Sequence, residues 1–168
     1  MRNLELKAKA RDLAPLRRAL RAIGATRSPL LAQVDTYFRV PNGRLKVRQR
    51  KGARPAELIV YLRPDAKKAR TSEFQKLGVE DAPGLLRLLR DMFGVDVRVR
   101  KRRDLWMYGT ARVHLDRVDD LGTFVEIEVP FEGSAARARQ TMARLVRALG
   151  IARADVLDRS YSDLLAGR

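Results

Sequence analysis

The sequence predicts an α+β fold in which helices cover one face of an antiparallel sheet. Several segments alternate aliphatic with charged residues, as strands do when their two faces meet different surroundings. Three other segments carry aliphatic residues at helical spacing and need an apolar surface to cover. No break in composition divides the chain, so residues 1–168 are expected to form a single domain.

The first strand is predicted within residues 1–11, where the charged residues Glu5, Lys7 and Lys9 alternate with aliphatic ones. Three helices follow from apolar periodicity bounded by N-cap and glycine signals. They are predicted from Asp12 to Gly24, from Asp81 to Gly94 and from Ser134 to Gly150.

The remaining strands are recognised by the same alternation and by turn signals such as Pro41-Asn42-Gly43. They are predicted over residues 30–40, 44–51, 56–63, 73–79, 95–108, 111–118 and 123–131. Residues 64–72 are predicted to be a polar connection, and the tail after residue 150 a short extended piece with a last helical turn.

Composition limits the possible functions. The formal charge of +16 favours a polyanionic partner such as a nucleotide, a polyphosphate or a nucleic acid. The sequence has no cysteine, which excludes disulfides and thiolate metal sites. A charged start and the lack of a long apolar run argue against a signal peptide and a membrane span, so we expect a cytoplasmic protein with no membrane partner.

The charges on the predicted strands are sorted by sign. Residues 44–50 and 98–103 carry mainly cations, whereas Glu126 and Glu128 bring carboxylates together. Since the helices need the aliphatic strand faces, the charged faces must point away from them and would line a lumen if the sheet closes. A cationic wall beside carboxylates suits a metal-bound polyphosphate. The simpler alternative is an ordinary solvated outer face.

Seven segments, taken in order and spacing, resemble one family along essentially the whole chain. They are Asn3-Leu4-Glu5-Leu6-Lys7, DTYF (35–38) with Leu45-Lys46-Val47-Arg48, LIVYLRP (58–64), Lys101 with Arg103, RVHLD (112–116), FVEIE (124–128) and RSYSDLL (159–165). They are similar to the CYTH superfamily of triphosphate tunnel enzymes, which includes class IV adenylyl cyclases, thiamine triphosphatases and inorganic triphosphatases. The bacterial class IV adenylyl cyclase branch is the nearest by motif.

This resemblance implies an eight-stranded antiparallel β-barrel, or tunnel, with a polar, charged lumen and the helices packed outside. It also implies an enzyme that binds ATP, tripolyphosphate or thiamine triphosphate with Mg²⁺ or Mn²⁺. The reaction would be either cyclisation of ATP to cyclic AMP and pyrophosphate or hydrolysis of the triphosphate.

The resemblance also assigns roles to individual residues. Those expected to bind the triphosphate are Lys7, Lys9, Lys46, Arg48, Arg63, Lys101, Arg103 and Arg112. Those expected to hold the metal are Glu5, Asp116, Glu126 and Glu128. The residues expected to be catalytic are Lys7, Arg48, Arg112 and Glu126.

Two residues depart from the family pattern. Asn3 stands where the first glutamate of the signature is expected, and His114 stands where some hydrolases of the family have an aspartate. We therefore expect weaker metal binding, a changed preference between metals, or reduced activity. Binding without catalysis is the extreme form of this expectation. His114 itself is expected to be a hydrogen-bonded wall residue, and the alternatives are a general base or a metal ligand.

Two other functions stay open at this point. A non-catalytic protein that binds RNA or polyphosphate would turn its cationic strands outward. An enzyme acting on RNA 5′-triphosphate ends would keep the tunnel and use Arg98, Arg100 and Arg102 as an outer track, which makes a nucleic acid a secondary candidate partner. The sequence allows either a monomer or a homodimer.

Overall fold

A computed structural model describes residues 2–53, 55–62 and 70–167. The strands of the described chain are β1 (Arg2–Lys9), β2 (Thr26–Arg27), β3 (Leu31–Phe38), β4 (Arg44–Arg50), β5 (Ala56–Leu62), β6 (Arg70–Val79), β7 (Val95–Tyr108), β8 (Ala111–Val118), β9 (Gly122–Phe131) and β10 (Val156–Leu157). Its helices are α1 (Ala14–Ala22), α2 (Ala82–Phe93), α3 (Ala136–Ala148) and α4 (Tyr161–Leu165), with a 3₁₀ turn at Arg153–Asp155.

The eight long strands of the described chain pair into a closed antiparallel ring. The order is β1, β6, β5, β4, β3, β7, β8 and β9, and β9 returns to β1 with residues 2–9 opposite residues 124–131. The short strands β2 and β10 pair with β7 and β1. The predicted tunnel with helices outside is thereby confirmed. Closure leaves no long edge strand and separates an inner from an outer face.

Apolar side chains occupy the outer face of the ring. The largest core packs α1 and α3 against β1, β8 and β9; its buried members include Leu4, Leu20, Val113, Ile127 and Leu145. A smaller cluster packs Leu89 of α2 against Phe38 and Val47, on β3 and β4. Because side chains alternate along a strand, burying these faces under helices turns the charged faces inward.

Two of the three predicted N-caps are displaced by one residue. The N-caps of α1 and α3 are Leu13 and Ala135, so the predictions of Asp12 and Ser134 were wrong. Both side chains nevertheless accept a hydrogen bond from an early helical N–H, since Asp12 accepts from Ala14 N and Ser134 from Ala136 N. Asp81 caps α2 as predicted and accepts from Gly84 N at 2.9 Å.

The strand boundaries differ from the prediction mainly at β6. This strand begins at Arg70 instead of residue 73, because residues 70–73 pair with β1, a long-range contact that their polar sequence does not signal. Residues 63–69, which include most of the predicted connection, lie outside the described chain. The two-residue strand β2 was not predicted. None of the described helices has the length and apolarity needed to cross a membrane.

Candidate functional site

The lumen contains a cavity of about 250 Å³ to which all eight long strands contribute side chains. Among the described residues, its cationic lining consists of Lys7, Arg44, Lys46, Arg48, Arg50, Lys76, Lys101, Arg103 and Arg112. The carboxylates that line it in the same part of the chain are Glu5, Glu126 and Glu128. The excess of cations makes the cavity attractive to a compact polyanion.

A buried aspartate organises one half of the cationic wall. Asp35 accepts hydrogen bonds from Lys46 Nζ at 2.9 Å, from Arg48 Nε at 2.8 Å and from Arg48 Nη2 at 2.9 Å. Gln33 Nε2 donates to it as well, at 2.8 Å. Burial raises the pKa of Asp35, but the charges of Lys46, Arg48 and Lys101 outweigh burial and hold the pKa well below its usual value. Asp35 therefore stays ionised and fixes both cations.

Asp116 has the same role beneath the other half of the wall. Arg103 binds it with two hydrogen bonds, Nε to Oδ1 at 2.8 Å and Nη2 to Oδ2 at 2.6 Å, and Tyr161 donates its hydroxyl to Oδ2 at 3.1 Å. Asp116 is fully buried and is not part of the cavity lining. It was expected to hold a metal, but the structure places it behind Arg103, where it orients the guanidinium.

Glu126 and Glu128 of β9 bind cations from three neighbouring strands. Glu126 accepts from Lys7 Nζ at 2.6 Å and from Arg103 Nη2 at 2.8 Å, and Glu128 accepts from Arg112 Nε at 2.8 Å. Burial raises the pKa of Glu126, but Lys7, His114 and Arg103 lower it well below its usual value. Ionised carboxylates grouped in this way are suitable oxygen ligands for a hard divalent ion.

Lys101 is the least compensated buried cation described here. Its Nζ lies 4.0 Å from Asp35 Oδ2 and 4.0 Å from Asp116 Oδ2, too far for a hydrogen bond to either. Burial, together with the charge of Arg103, lowers the pKa of Lys101 to about 7. The charge of this side chain therefore changes near physiological pH.

Aromatic rings complete the walls around three of these lysines, and Lys101 Nζ lies 5.1 Å from the ring centroid of Tyr161. Lys46 Nζ lies 5.1 Å from the ring centroids of both Tyr37 and Tyr61, and Lys7 Nζ lies 4.2 Å from that of Tyr161. Each distance is within cation–π range. Tyr161 comes from α4, which closes one side of the cavity. Arg44 ties this helix to β4 by binding both carboxylate oxygens of Asp163 at 2.9 Å.

The structure brings most of the predicted site residues together. Those that line the cavity are Glu5, Lys7, Lys46, Arg48, Lys101, Arg103, Arg112, Glu126 and Glu128. Lys9 has the right parity but is exposed at the end of β1, beyond the cavity wall. Arg63 lies outside the described residues.

Sequence reasoning gave no site role to several residues of this site, among them Asp35, Lys76 and Tyr61. Asp35 was noted within a motif but given no role, and a signal was available, because β3 and β4 are joined by a short turn that sets Asp35 opposite Arg48. Lys76 and Tyr61 were also missed. Lys76 lies on a predicted strand for which no charged face was assigned, and Tyr61 resembles any aromatic residue of a strand. In contrast to the lumen cations, Arg98, Arg100 and Arg102 are exposed on the outer face of β7.

Comparison with known families gives one match over nearly the whole chain. The model of the CYTH domain matches residues 1–161. A search of curated proteins finds no match.

Solved structures share the fold at low sequence identity. The PH1012 protein of Pyrococcus horikoshii is 23% identical with a TM-score of 0.85, covering 96% of this chain and 98% of its own. A proposed adenylate cyclase from Vibrio parahaemolyticus is 19% identical with a TM-score of 0.81, covering 98% and 97%. HpAC1 of Hippeastrum, a proposed adenylyl cyclase with a dominant triphosphatase activity, is 14% identical with a TM-score of 0.71, covering 99% and 96%. At these identities the likeness establishes the fold alone.

Proposed function

Because this chain belongs to the CYTH domain family, we propose that it is an enzyme that binds a triphosphate and a divalent metal ion in the lumen and acts on the triphosphate. The observation that carries this proposal is the inward direction of the cations on β4 and β7. Arg44, Lys46, Arg48, Lys101 and Arg103 all border one cavity inside the ring of strands, which a protein using these strands to bind RNA on its surface would not need.

The cationic wall is held in place before any ligand arrives. Asp35 and Asp116 are buried and are not part of the cavity lining, and their hydrogen bonds orient Lys46, Arg48 and Arg103. The two carboxylates therefore fix the geometry of the cations without covering the surface that a phosphate would contact. Fixed donors of this kind stabilise charge that develops during phosphoryl transfer, because they need no reorganisation in the transition state.

Three cations are paired with carboxylates that line the cavity. Lys7, Arg103 and Arg112 each donate to Glu126 or Glu128. Phosphate oxygens compete for the same donors, and each donor that turns to phosphate frees a carboxylate oxygen. Triphosphate binding therefore prepares the carboxylates for a metal ion, and by linkage the metal must strengthen triphosphate binding by the same factor.

The ligands proposed for this ion are Glu5, Glu126 and Glu128, and their oxygen donors fit Mg²⁺ or Mn²⁺. When bound, such an ion would supply positive charge at the phosphate oxygens. Asp116 is left out of this set because it is buried behind Arg103. The ion and substrate would meet in the cytoplasm, which is the location we propose.

The proposed chemistry is in-line attack at a phosphorus atom. Lys7, Arg48 and Arg112 would grip the phosphates and neutralise the charge that grows in the transition state, and Glu126 would position the ion and Lys7. Water attacking the terminal phosphate gives hydrolysis, and a ribose hydroxyl attacking the α-phosphate gives cyclisation. Both reactions are associated with HpAC1, whereas only cyclisation is associated with the Vibrio protein.

A product assay tests this proposal. ATP, tripolyphosphate and thiamine triphosphate are each incubated with the protein and Mg²⁺ or Mn²⁺, and phosphate, pyrophosphate and cyclic AMP are measured separately. Pyrophosphate with cyclic AMP from ATP indicates a cyclase. Phosphate without cyclic AMP indicates a triphosphatase, and hydrolysis of tripolyphosphate releases an equal amount of pyrophosphate beside it. Arg103→Ala is expected to abolish turnover, whereas Arg102→Ala, on the same strand but on the outer face, is expected to retain it. Saturable binding without any product would instead support a non-catalytic polyphosphate-binding protein.

The outer arginines favour RNA as a second candidate substrate. Arg98, Arg100 and Arg102 are exposed along β7, and Arg102 pairs in register with the exposed Arg117 of β8. No hydrogen bond or ion pair within the described chain engages these four guanidinium groups. Cleavage of a 5′-triphosphate RNA that is faster than cleavage of tripolyphosphate, and that slows steeply with salt, would support this candidate.

A further inference from the structure

His114 is the only histidine in the sequence, and it lies at the centre of the carboxylate cluster. The register of β8 and β9 sets it directly opposite Glu126. The next inward-facing pair of the same two strands is Arg112 with Glu128. Its side chain is 5% exposed, so its position is fixed by the surrounding wall. The strand pairing, and not a chance rotamer, therefore directs this imidazole at the two glutamates.

The donor atoms of these three residues are close enough to share one ion. His114 Nδ1 lies 3.2 Å from Glu126 Oε2 and 3.7 Å from Glu128 Oε1, and one donor atom of each residue lies within 4.8 Å of the others. Two ligands on opposite sides of an ion that binds at about 2.1 Å are about 4.2 Å apart. The side chains therefore need only small adjustments to enclose an ion.

The neighbouring amide does not compete for this place. In the orientation that satisfies both of its polar atoms, Asn3 accepts from Arg112 Nη2 at 3.2 Å and donates to the carbonyl of Arg2 at 3.2 Å. Its oxygen is thus used within the wall, and the imidazole of His114 is the donor that faces Glu126 and Glu128 together.

An imidazole changes which ion such a site prefers. Mg²⁺ binds oxygen ligands and seldom nitrogen, whereas first-row transition ions accept imidazole readily and bind mixed nitrogen and oxygen sites more tightly. We propose that His114 is a metal ligand, and that with Glu126 and Glu128 it makes this site select a transition ion such as Mn²⁺ or Co²⁺ over Mg²⁺. This inference rests on the proposed function, because the ion would bind in the same lumen as the triphosphate.

Pulsed electron paramagnetic resonance of bound Mn²⁺ tests the proposal directly, because the only imidazole that it can detect is that of His114. The full chain is expressed without a histidine tag, mixed with Mn²⁺ alone or with Mn²⁺ and tripolyphosphate, and frozen. The expected spectrum shows ¹⁴N modulation from one imidazole, which changes to the ¹⁵N pattern when the histidine is ¹⁵N-labelled. The labelling experiment uses the wild-type protein, so its result does not depend on the folding of a variant.

Calorimetry of the His114→Asp variant provides the second readout. We expect the ratio of Mn²⁺ affinity to Mg²⁺ affinity to fall by about tenfold or more when oxygen replaces nitrogen. The matched control is Glu57→Asp. Glu57 lies on a strand, forms an ion pair with Arg50 and is not part of the cavity lining. This control should leave the ratio unchanged.

The outcomes separate this inference from the proposed function. The inference is overturned if Mn²⁺ does not bind or binds without nitrogen modulation. It is also overturned if His114→Asp leaves the ratio of Mn²⁺ to Mg²⁺ affinity unchanged. Either result counts against the inference alone when tripolyphosphate still binds. If tripolyphosphate fails to bind to the wild-type protein, the proposed function is overturned, and the spectrum with Mn²⁺ alone still decides the role of His114.

Discussion

Replacing Asp35 by asparagine removes the charge that holds one half of the cationic wall together. Asp35 is 1% exposed and makes three hydrogen bonds to Lys46 and Arg48, with Lys101 Nζ at 4.0 Å. The amide of the variant would keep the shape but leave these buried cations without their counter-charge. Breaking a buried ion pair by removing one partner costs about 3–5 kcal/mol, so we expect the free energy of unfolding of Asp35→Asn to fall by that amount at pH 7.

The effect is measured by urea unfolding at pH 7. A domain of this size is stable by about 5–15 kcal/mol, so the variant should still fold but with a clearly lower urea midpoint. The control is Asp91→Asn, whose partner is the exposed Arg90. Exposed ion pairs contribute about 0–1 kcal/mol, and this control should therefore change the midpoint little.

The pH dependence of the loss follows from the lowered pKa of Asp35. A carboxyl whose pKa is depressed in the folded state contributes stability above its unfolded pKa, near 3.8, and loses it as the pH falls through the folded pKa. The part of the difference between wild type and Asp35→Asn that comes from the Asp35 charge should therefore shrink as the pH falls below about 3.8.

Added tripolyphosphate gives a further test of the same reasoning. Phosphate oxygens can take the place of the lost carboxylate as partners of Lys46 and Arg48, so tripolyphosphate should stabilise Asp35→Asn more than it stabilises the wild type. A change of about 1 kcal/mol or less in the urea experiment would refute the idea that Asp35 fixes the wall, and equal stabilisation of both proteins by tripolyphosphate would refute its link to phosphate binding.

Three other predictions concern the remaining charges of the lumen. Lys101 has a pKa of about 7 in the folded state, against 10.5 for the free side chain. Between these values the unfolded chain binds more protons than the folded chain, so the free energy of unfolding should rise with pH. Lys101→Met should reduce that rise in urea titrations at about pH 7, 8 and 9. Arg103→Lys should lower the free energy of unfolding by about 2–3 kcal/mol, because a lysine cannot reproduce the two hydrogen bonds to Asp116. At the exposed Arg102, the control Arg102→Lys should change this free energy by less than about 0.5 kcal/mol. Similar losses in both variants would contradict the role given to the Arg103–Asp116 pair. Calorimetry should show that Mn²⁺ binds more tightly in the presence of tripolyphosphate and tripolyphosphate more tightly in the presence of Mn²⁺, by the same factor; independent binding would contradict the exchange of partners at the two glutamates.

Most of the strands and their faces could be predicted from the sequence. The cations of residues 44–50 lie on one parity, and β4 presents all of them to the cavity, because the alternation of side chains along a strand is a local property of the backbone. The bounds of β7 and β8 match the prediction, since their ends are set by Gly94 and by the Gly109-Thr110 turn. Local signals failed where a long-range pairing extends a strand, as at the start of β6, and they misplaced two N-caps by one residue.

The use of each charge within the lumen could not be predicted in this way. Asp116 shares the parity of Arg112 and His114, yet it supports Arg103 from behind, and Lys9 shares the parity of Lys7, yet it lies beyond the cavity. These differences depend on the depth of each residue along the tunnel and on its cross-strand neighbours.

The sequence by itself determined which side chains share a strand face, and therefore that a closed sheet would have a charged interior. Only the tertiary structure decided which charges meet between distant parts of the chain: Lys7 with Glu126 through the β1–β9 register that closes the ring, and Arg103 with Glu126 across β8. The physical reason is that parity repeats every two residues along one strand, whereas an ion pair or a metal site requires atoms from different strands to lie within a few ångströms of each other.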